Sequence, residues 1–247
     1  MHWLRRIGFG LFATFALAGY AGHGPAKAQA PAAGERFEVA SIKAVRPTLV
    51  DTVAALQQRD VAKARAAFEA YDSAWNGIEV YINVRSRPLY QTLEQNFQKK
   101  IEDGLNKPNP DTAALLADAQ AILAKYDEAI DMVAKGAPLS PLFDDVARLR
   151  IVRAHLREVP PALKAGDFAR ARKSFEEFDN TWDSIEDLVK ARSSDAYTAI
   201  EAGMIQIENA LMPEKPDVAA VTGLVNDVLG KYNAVVAQIT QDARAQR

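Results

Sequence analysis

The feature that most constrains this chain is a long internal repeat. The stretch YDSAWNGIEVYINVRSRPLYQTLE, from Tyr71 to Glu94, returns 107 residues later as FDNTWDSIEDLVKARSSDAYTAIE, from Phe178 to Glu201. Asp, Trp, Ile, Glu, Arg, Ser, Tyr and a final Glu recur in register. The match extends upstream, where RDVAKARAAF (59–68) pairs with GDFARARKSF (166–175). It extends downstream to 110–130 and 216–236, now at an offset of 106, so one residue is lost or gained near Phe97 to Ile101. Solenoid repeats have periods of roughly 20–50 residues, so a period this long is domain-sized.

Within each copy the apolar spacing is helical. Phe68, Tyr71, Trp75, Ile78 and Ile82 advance by three and four residues, as do Phe175, Phe178, Trp182, Ile185 and Val189. A following helix carries Tyr90, Leu93 and Phe97, against Tyr197, Ile200 and Met204. Another begins after Pro110 or Pro216, where Asp111 or Asp217 suits the positive end of the helix dipole. The first helix of each copy is expected over 41–58 and 140–165, the second interrupted at Pro160-Pro161. Ser86 and Ser193 supply caps after short breaks, and Gly136-Ala137-Pro138 parts the copies. No segment alternates with period two. The expected fold is all-α, two tandem up-down four-helix bundles arising from an internal duplication, each folding alone. Copy 1 is expected over 41–136 and copy 2 over 140–243.

The first 28 residues read as a signal peptide. Arg5 and Arg6 precede an apolar run from Ile7 to Ala21, shorter than the 20 or so residues of a membrane span. Ala26-Lys27-Ala28 gives a cleavage site, followed by a linker over 29–40. The mature chain is therefore expected in the periplasm, without stable membrane insertion. The leader holds three basic and no acidic residues, so cleavage leaves 27 basic and 32 acidic, a net charge of −5. Such a chain is a poor partner for nucleic acid and tolerates cations. With no cysteine, it has no disulfide, thiolate metal site or iron–sulfur cluster. Nucleophile-elbow, zinc-protease and phosphate-loop motifs are missing, so no enzyme activity is expected.

The chemistry-bearing residues in the repeat are carboxylates. Glu79 lies seven residues before Ser86 and Glu94 seven after Arg87; Glu186 and Glu201 flank the second turn in the same way. In an antiparallel helix pair these stand level, about 10–12 Å from the turn at 1.5 Å per residue. Asp72 and Asp179 share a face with Glu79 and Glu186. Two readings stay open. The glutamates pair with Arg85 and Arg192 at the core boundary, or they hold a metal ion between adjacent helices, as bundle sites do. His155 is the one histidine beyond the leader and is read as an incidental surface residue. An all-oxygen site suits a hard cation, iron (Fe3+ or Fe2+), Ca2+ or Mn2+. Trp75 and Trp182 are read as core anchors.

The stretch GDFARARKSFEEFDNTWDSIEDLVKARSSDAYTAIE resembles the periplasmic N-terminal extension of bacterial high-affinity iron permeases. The likeness rests on Gly166, Asp167, Glu186 and Glu201, and more loosely on Asp60, Glu79 and Glu94. The membrane helices and Arg-Glu-x-x-Glu signature of those permeases are missing, as is the His-x-x-Glu pattern of imelysin-like iron-uptake proteins. The resemblance implies a soluble accessory role: iron binding, or delivery to a membrane iron permease or other periplasmic uptake component. The alternative is a metal-free helical module that docks other proteins.

Overall fold

Most of the long helices, those starting at Phe37 and Leu142 excepted, begin where a short polar side chain turns back on the backbone. In a computed structural model, which describes residues 35–246, α1 spans Phe37–Gln57 and α2 Val61–Arg85. Then come α3 (Arg87–Gln91), a π-helical segment (Thr92–Gln98), α4 (Lys99–Leu105) and α5 (Thr112–Lys135). The second copy supplies α6 (Leu142–Arg157), α7 (Val159–Lys164), α8 (Phe168–Trp182), α9 (Glu186–Arg192), α10 (Ser194–Leu211) and α11 (Val218–Ala245). The described residues are all-helical, with no strand. The expected leader and most of the expected linker lie outside them; Phe37 to Ala40, placed in the linker, already form the first turn of α1.

The caps recur in pairs. Asp60 and Asp167 accept from Lys63 N and Arg170 N, Ser86 and Ser193 from Leu89 N and Ala196 N. Asp111 and Asp217 each accept from two amides of the following turn. Ahead of the first pair, Arg59 (φ 56°) and Gly166 (φ 74°) make the same left-handed turn. Long-range hydrogen bonds recur as well. The buried Tyr126 hydroxyl donates to Ile42 O at 2.7 Å and that of Tyr232 to Leu149 O at 2.6 Å. Arg65 and Arg172 donate to Leu105 O and Leu211 O, tying down the C-terminal carbonyls of α4 and α10.

The two copies share one core. Helix α1 packs on α2 and α5, while α6 packs on both α2 and α11. Buried side chains from Val39 to Ala243 form one contiguous cluster, and the described residues fall in one compact unit. Pro160-Pro161 separates α6 from α7 at Glu158. A second break lies at 183–185, between α8 and α9, where copy 1 runs straight through. There the Ser184 hydroxyl donates to Thr181 O and the Thr181 hydroxyl to Glu177 O. Such back-bonding competes with the helical ladder, and Asp183 and Ser184 are exposed, with little packing to oppose it. Among the described residues, no helix is long and apolar enough to cross a membrane.

The position matching Ser184 in copy 1 is Gly77, buried where α2 meets α6. A Cβ there would lie 2.3 Å from Ile151 Cγ1 and 2.9 Å from the Ala147 carbonyl oxygen. In a helix interior Gly→Ala normally stabilises by about 0.5–1 kcal/mol. Gly77→Ala is expected to do the reverse, destabilising by about 1–3 kcal/mol through overpacking. Gly230→Ala in α11, where nothing lies within 4 Å, should give the normal gain. Urea unfolding of the two variants checks this; a gain at both positions would contradict the close α2–α6 contact.

Candidate functional site

The repeated Trp, Glu, Tyr and Glu first serve to lock two helices together. In copy 1 the Trp75 indole N–H donates to Glu94, and Glu79 is hydrogen-bonded to Tyr90. In copy 2 the Trp182 N–H donates to Glu201 and the Tyr197 hydroxyl to Glu186 at 3.2 Å. The bonds cross between the helices, and the rings between them lie nearly parallel. Trp75 and Tyr90 have centroids 6.1 Å apart at 5°, Trp182 and Tyr197 6.3 Å apart at 13°. Both tryptophans are buried, as their core-anchor reading expects. A hydrogen bond to a charged acceptor is worth about 1.5–3 kcal/mol and an aromatic pair about 0.5–1.5.

The expected arginine partners go elsewhere. Arg85 pairs with the buried Glu38 at 2.8 Å and donates to Ala137 O; Arg192 pairs with Asp242 at 2.6 Å. Glu79 instead pairs with Arg150 of α6 at 2.6 Å, a partner from the other copy that local spacing does not reveal. His155 sits 3.3 Å from Glu177 and takes no part in the site.

The copies differ beyond the clamp. In copy 1, Asp72, Glu79 and Glu94, all singled out in the sequence, line one cleft of about 690 Å³. Helix α2 forms its base, with Asp72, Trp75 and Asn76. The π-helical segment adds Glu94, Gln95 and Gln98, and α4 adds Lys99 and Glu102. The far wall comes from the second copy, through Arg157, Glu158 and Pro161 of the α6–α7 bend. Five carboxylates thus face Lys99 and Arg157. Gln98 Nε2 donates to Asp72, and Arg157 Nη1 to Asn76 Oδ1 at 2.9 Å. In copy 2, Glu186 and Glu201 make their clamp bonds and Asp179 is half-buried on α8.

Charge in the cleft is under strain. Burial pushes the Asp72 carboxyl above its usual range, against the opposing Gln98 hydrogen bond. Burial also raises Glu79, more than Arg150 lowers it, with Glu94 adding repulsion. Glu102 is raised by burial, then by Asp72 and Asp103. The Tyr90 hydroxyl is pushed up to about 12 by burial and by the charges of Glu79 and Glu94. Two acceptor-capable groups beside these carboxylates lack protein partners: Gln98 Oε1, on a side chain 7% exposed, and the fully buried Tyr71 hydroxyl. Among the described residues, no three His, Asp or Glu side chains come close enough to hold a metal ion by direct ligation. The sequence did not single out Gln98, Glu102 or Glu158, and gave Tyr71 only as part of the apolar series. The shift in repeat offset near Phe97 was the one local sign of Gln98.

These shifts fix a pH dependence. A carboxyl whose pKa is higher folded than unfolded holds its proton more tightly in the native state. Its stabilisation is reduced above the folded pKa and regained as pH falls towards the ordinary values of 3.8 for Asp and 4.5 for Glu. The Arg46–Asp127 pair acts oppositely, since Asp127 is lowered, but its loss falls below 3.8. Tm is therefore expected to rise from about pH 7 to about pH 5, and the rise to shrink in Asp72→Asn/Glu102→Gln. A Tm that falls across this window in the unaltered protein would contradict the assignment.

Comparison with known proteins finds no family model, no curated protein and no solved structure that matches the chain, so the chemistry of these residues carries the functional reading.

Proposed function

We propose that the mature chain is a periplasmic cation-binding accessory protein, two tandem four-helix bundles derived from an internal duplication. In this reading it serves iron uptake by holding the metal ion or handing it to a membrane permease. The observation that carries the reading is the copy 1 cleft, lined by five carboxylates, of which Glu79 and Glu158 have arginine partners (Arg150, Arg170) while Asp72 and Glu102 are raised by burial, with the partnerless Gln98 Oε1 beside them. Groups raised by burial and mutual repulsion gain most from a positive ligand, which supplies the missing charge. A hard cation fits donors that are all oxygen. The −5 charge expected after leader cleavage and the resemblance to iron-permease extensions point the same way.

The second reading is a metal-free interaction module. It draws support from the clamp, since Glu94, Glu186 and Glu201 each have a protein donor.

The two readings separate on paired measurements. Titration calorimetry with Mn2+, Ca2+ and Fe3+-citrate is run on protein purified without chelator, alongside melts of the metal-free form. Asp72→Asn/Glu102→Gln removes charge from the cleft but keeps its shape and leaves the Arg150 pair intact. The double variant is expected to lose at least about tenfold in Mn2+ affinity, or 1.4 kcal/mol, while its metal-free Tm at pH 7 rises. Binding falls as stability rises, the mark of a site held open against repulsion. No Mn2+ binding by the unaltered protein would remove the cation reading and leave the interaction module.

A further inference from the structure

The copies differ in length at one place, and that place lines the cleft. Residues Arg87 to Leu105 of copy 1 number nineteen, against the 18 of α10 in copy 2. Helix α10 is continuous, whereas copy 1 takes up its extra residue by winding Thr92–Gln98 as a π-helix. A π turn is how a helix accommodates one inserted residue without losing register at its ends. The ends do match, for Leu93 and Ile200 are buried before the change, Leu105 and Leu211 after it.

Gln98 sits at the insertion. Phe97 matches Met204 at the first offset and Ile101 matches Ile207 at the second, so the unmatched residue falls between them. Gln98 closes the π segment, is 7% exposed and lines the cleft. Its Nε2 donates to Asp72, which leaves Oε1 as an acceptor without a donor. A buried amide oxygen left so is costly unless a ligand serves it. The neighbouring Tyr71 hydroxyl, also partnerless, is replaced in copy 2 by Phe178. Polar groups in want of partners thus collect around the cleft of one copy, where the other has an apolar side chain or no residue at all.

The ligand must bring donors or positive charge. Among the described residues no three carboxylates lie close enough for direct ligation, while about 690 Å³ has room for an ion and its waters at roughly 30 Å³ each. Resting on the cation reading given above, we propose that the π insertion makes the copy 1 cleft the chain's single cation site. Gln98 Oε1 and the Asp72 carboxylate receive the water shell of a divalent metal ion. The duplicated chain therefore binds one ion rather than two.

Calorimetric titration of the full mature chain with Mn2+ tests this. One ion per chain is expected. Gln98→Leu, which keeps the residue count but removes the acceptor, should weaken Mn2+ binding at least tenfold with unchanged helicity by circular dichroism. Gln98→Glu, which keeps an acceptor and adds charge, should bind Mn2+ at least as tightly as the unaltered chain. Deleting Gln98 should abolish binding, and if that variant does not fold, the two substitutions decide. Two ions per chain, or Gln98→Leu binding within twofold of the unaltered protein, would overturn the inference and leave the cation reading standing. No binding by the unaltered chain would overturn both.

Discussion

Two helices joined at Ser86 or Ser193 are free to roll about their axes unless something crosses between them. The indole-to-carboxylate bond, Trp75 to Glu94 and Trp182 to Glu201, is that crossing. The Tyr–Glu bonds close it from the other side and the parallel rings fill the gap. This fixes which faces of the helices look inward, so the other pairings inherit their register from it. It also gives a structural reason for the same four residues at the same spacing twice, independent of any ligand. A buried Trp needs a partner for its N–H, and a carboxylate at the core boundary is a strong one.

With the clamp common to both copies, function is to be sought in what they do not share. Copy 1 has α6 against α2, made possible by Gly77 and fastened by Arg150 on Glu79. In copy 2 the counterpart of α2 breaks at 183–185. The copy 1 cleft is walled on one side by the α6–α7 bend and on the other by the π-helical segment. Both are single departures from the repeat, and both add polar groups to one place.

Much of this was legible in the sequence because it is local. Helix spacing, the Asp and Ser caps, the buried Trp pair and the break at Pro160-Pro161 all follow from neighbours along the chain. The spacing about the turn set Glu79 and Glu94 level, but that they line one cleft with Asp72 depends on helix rotations that spacing does not give. Arg85 was a poor guide: its position beside the turn suggested the glutamates, but the fold gives it Glu38 and a helix end. Arg150 could not be seen, since its contact with Glu79 depends on how α6 docks across the copies. The insertion was visible only as a shifted offset. That it is wound as a π turn, with Gln98 turned inward beside Asp72, depends on Leu93 and Leu105 both holding their places in the core.

The claim that one copy carries the ligand and the other the scaffold meets its most direct test in diffraction from crystals soaked in Mn2+, with data recorded for the metal's anomalous signal. The account predicts one anomalous peak per chain, in the cleft between Asp72 and Gln98, with waters between the ion and the side chains. Peaks at both helical pairs, a peak beside Glu186 and Glu201 alone, or no peak at concentrations that saturate the calorimetric signal would contradict it.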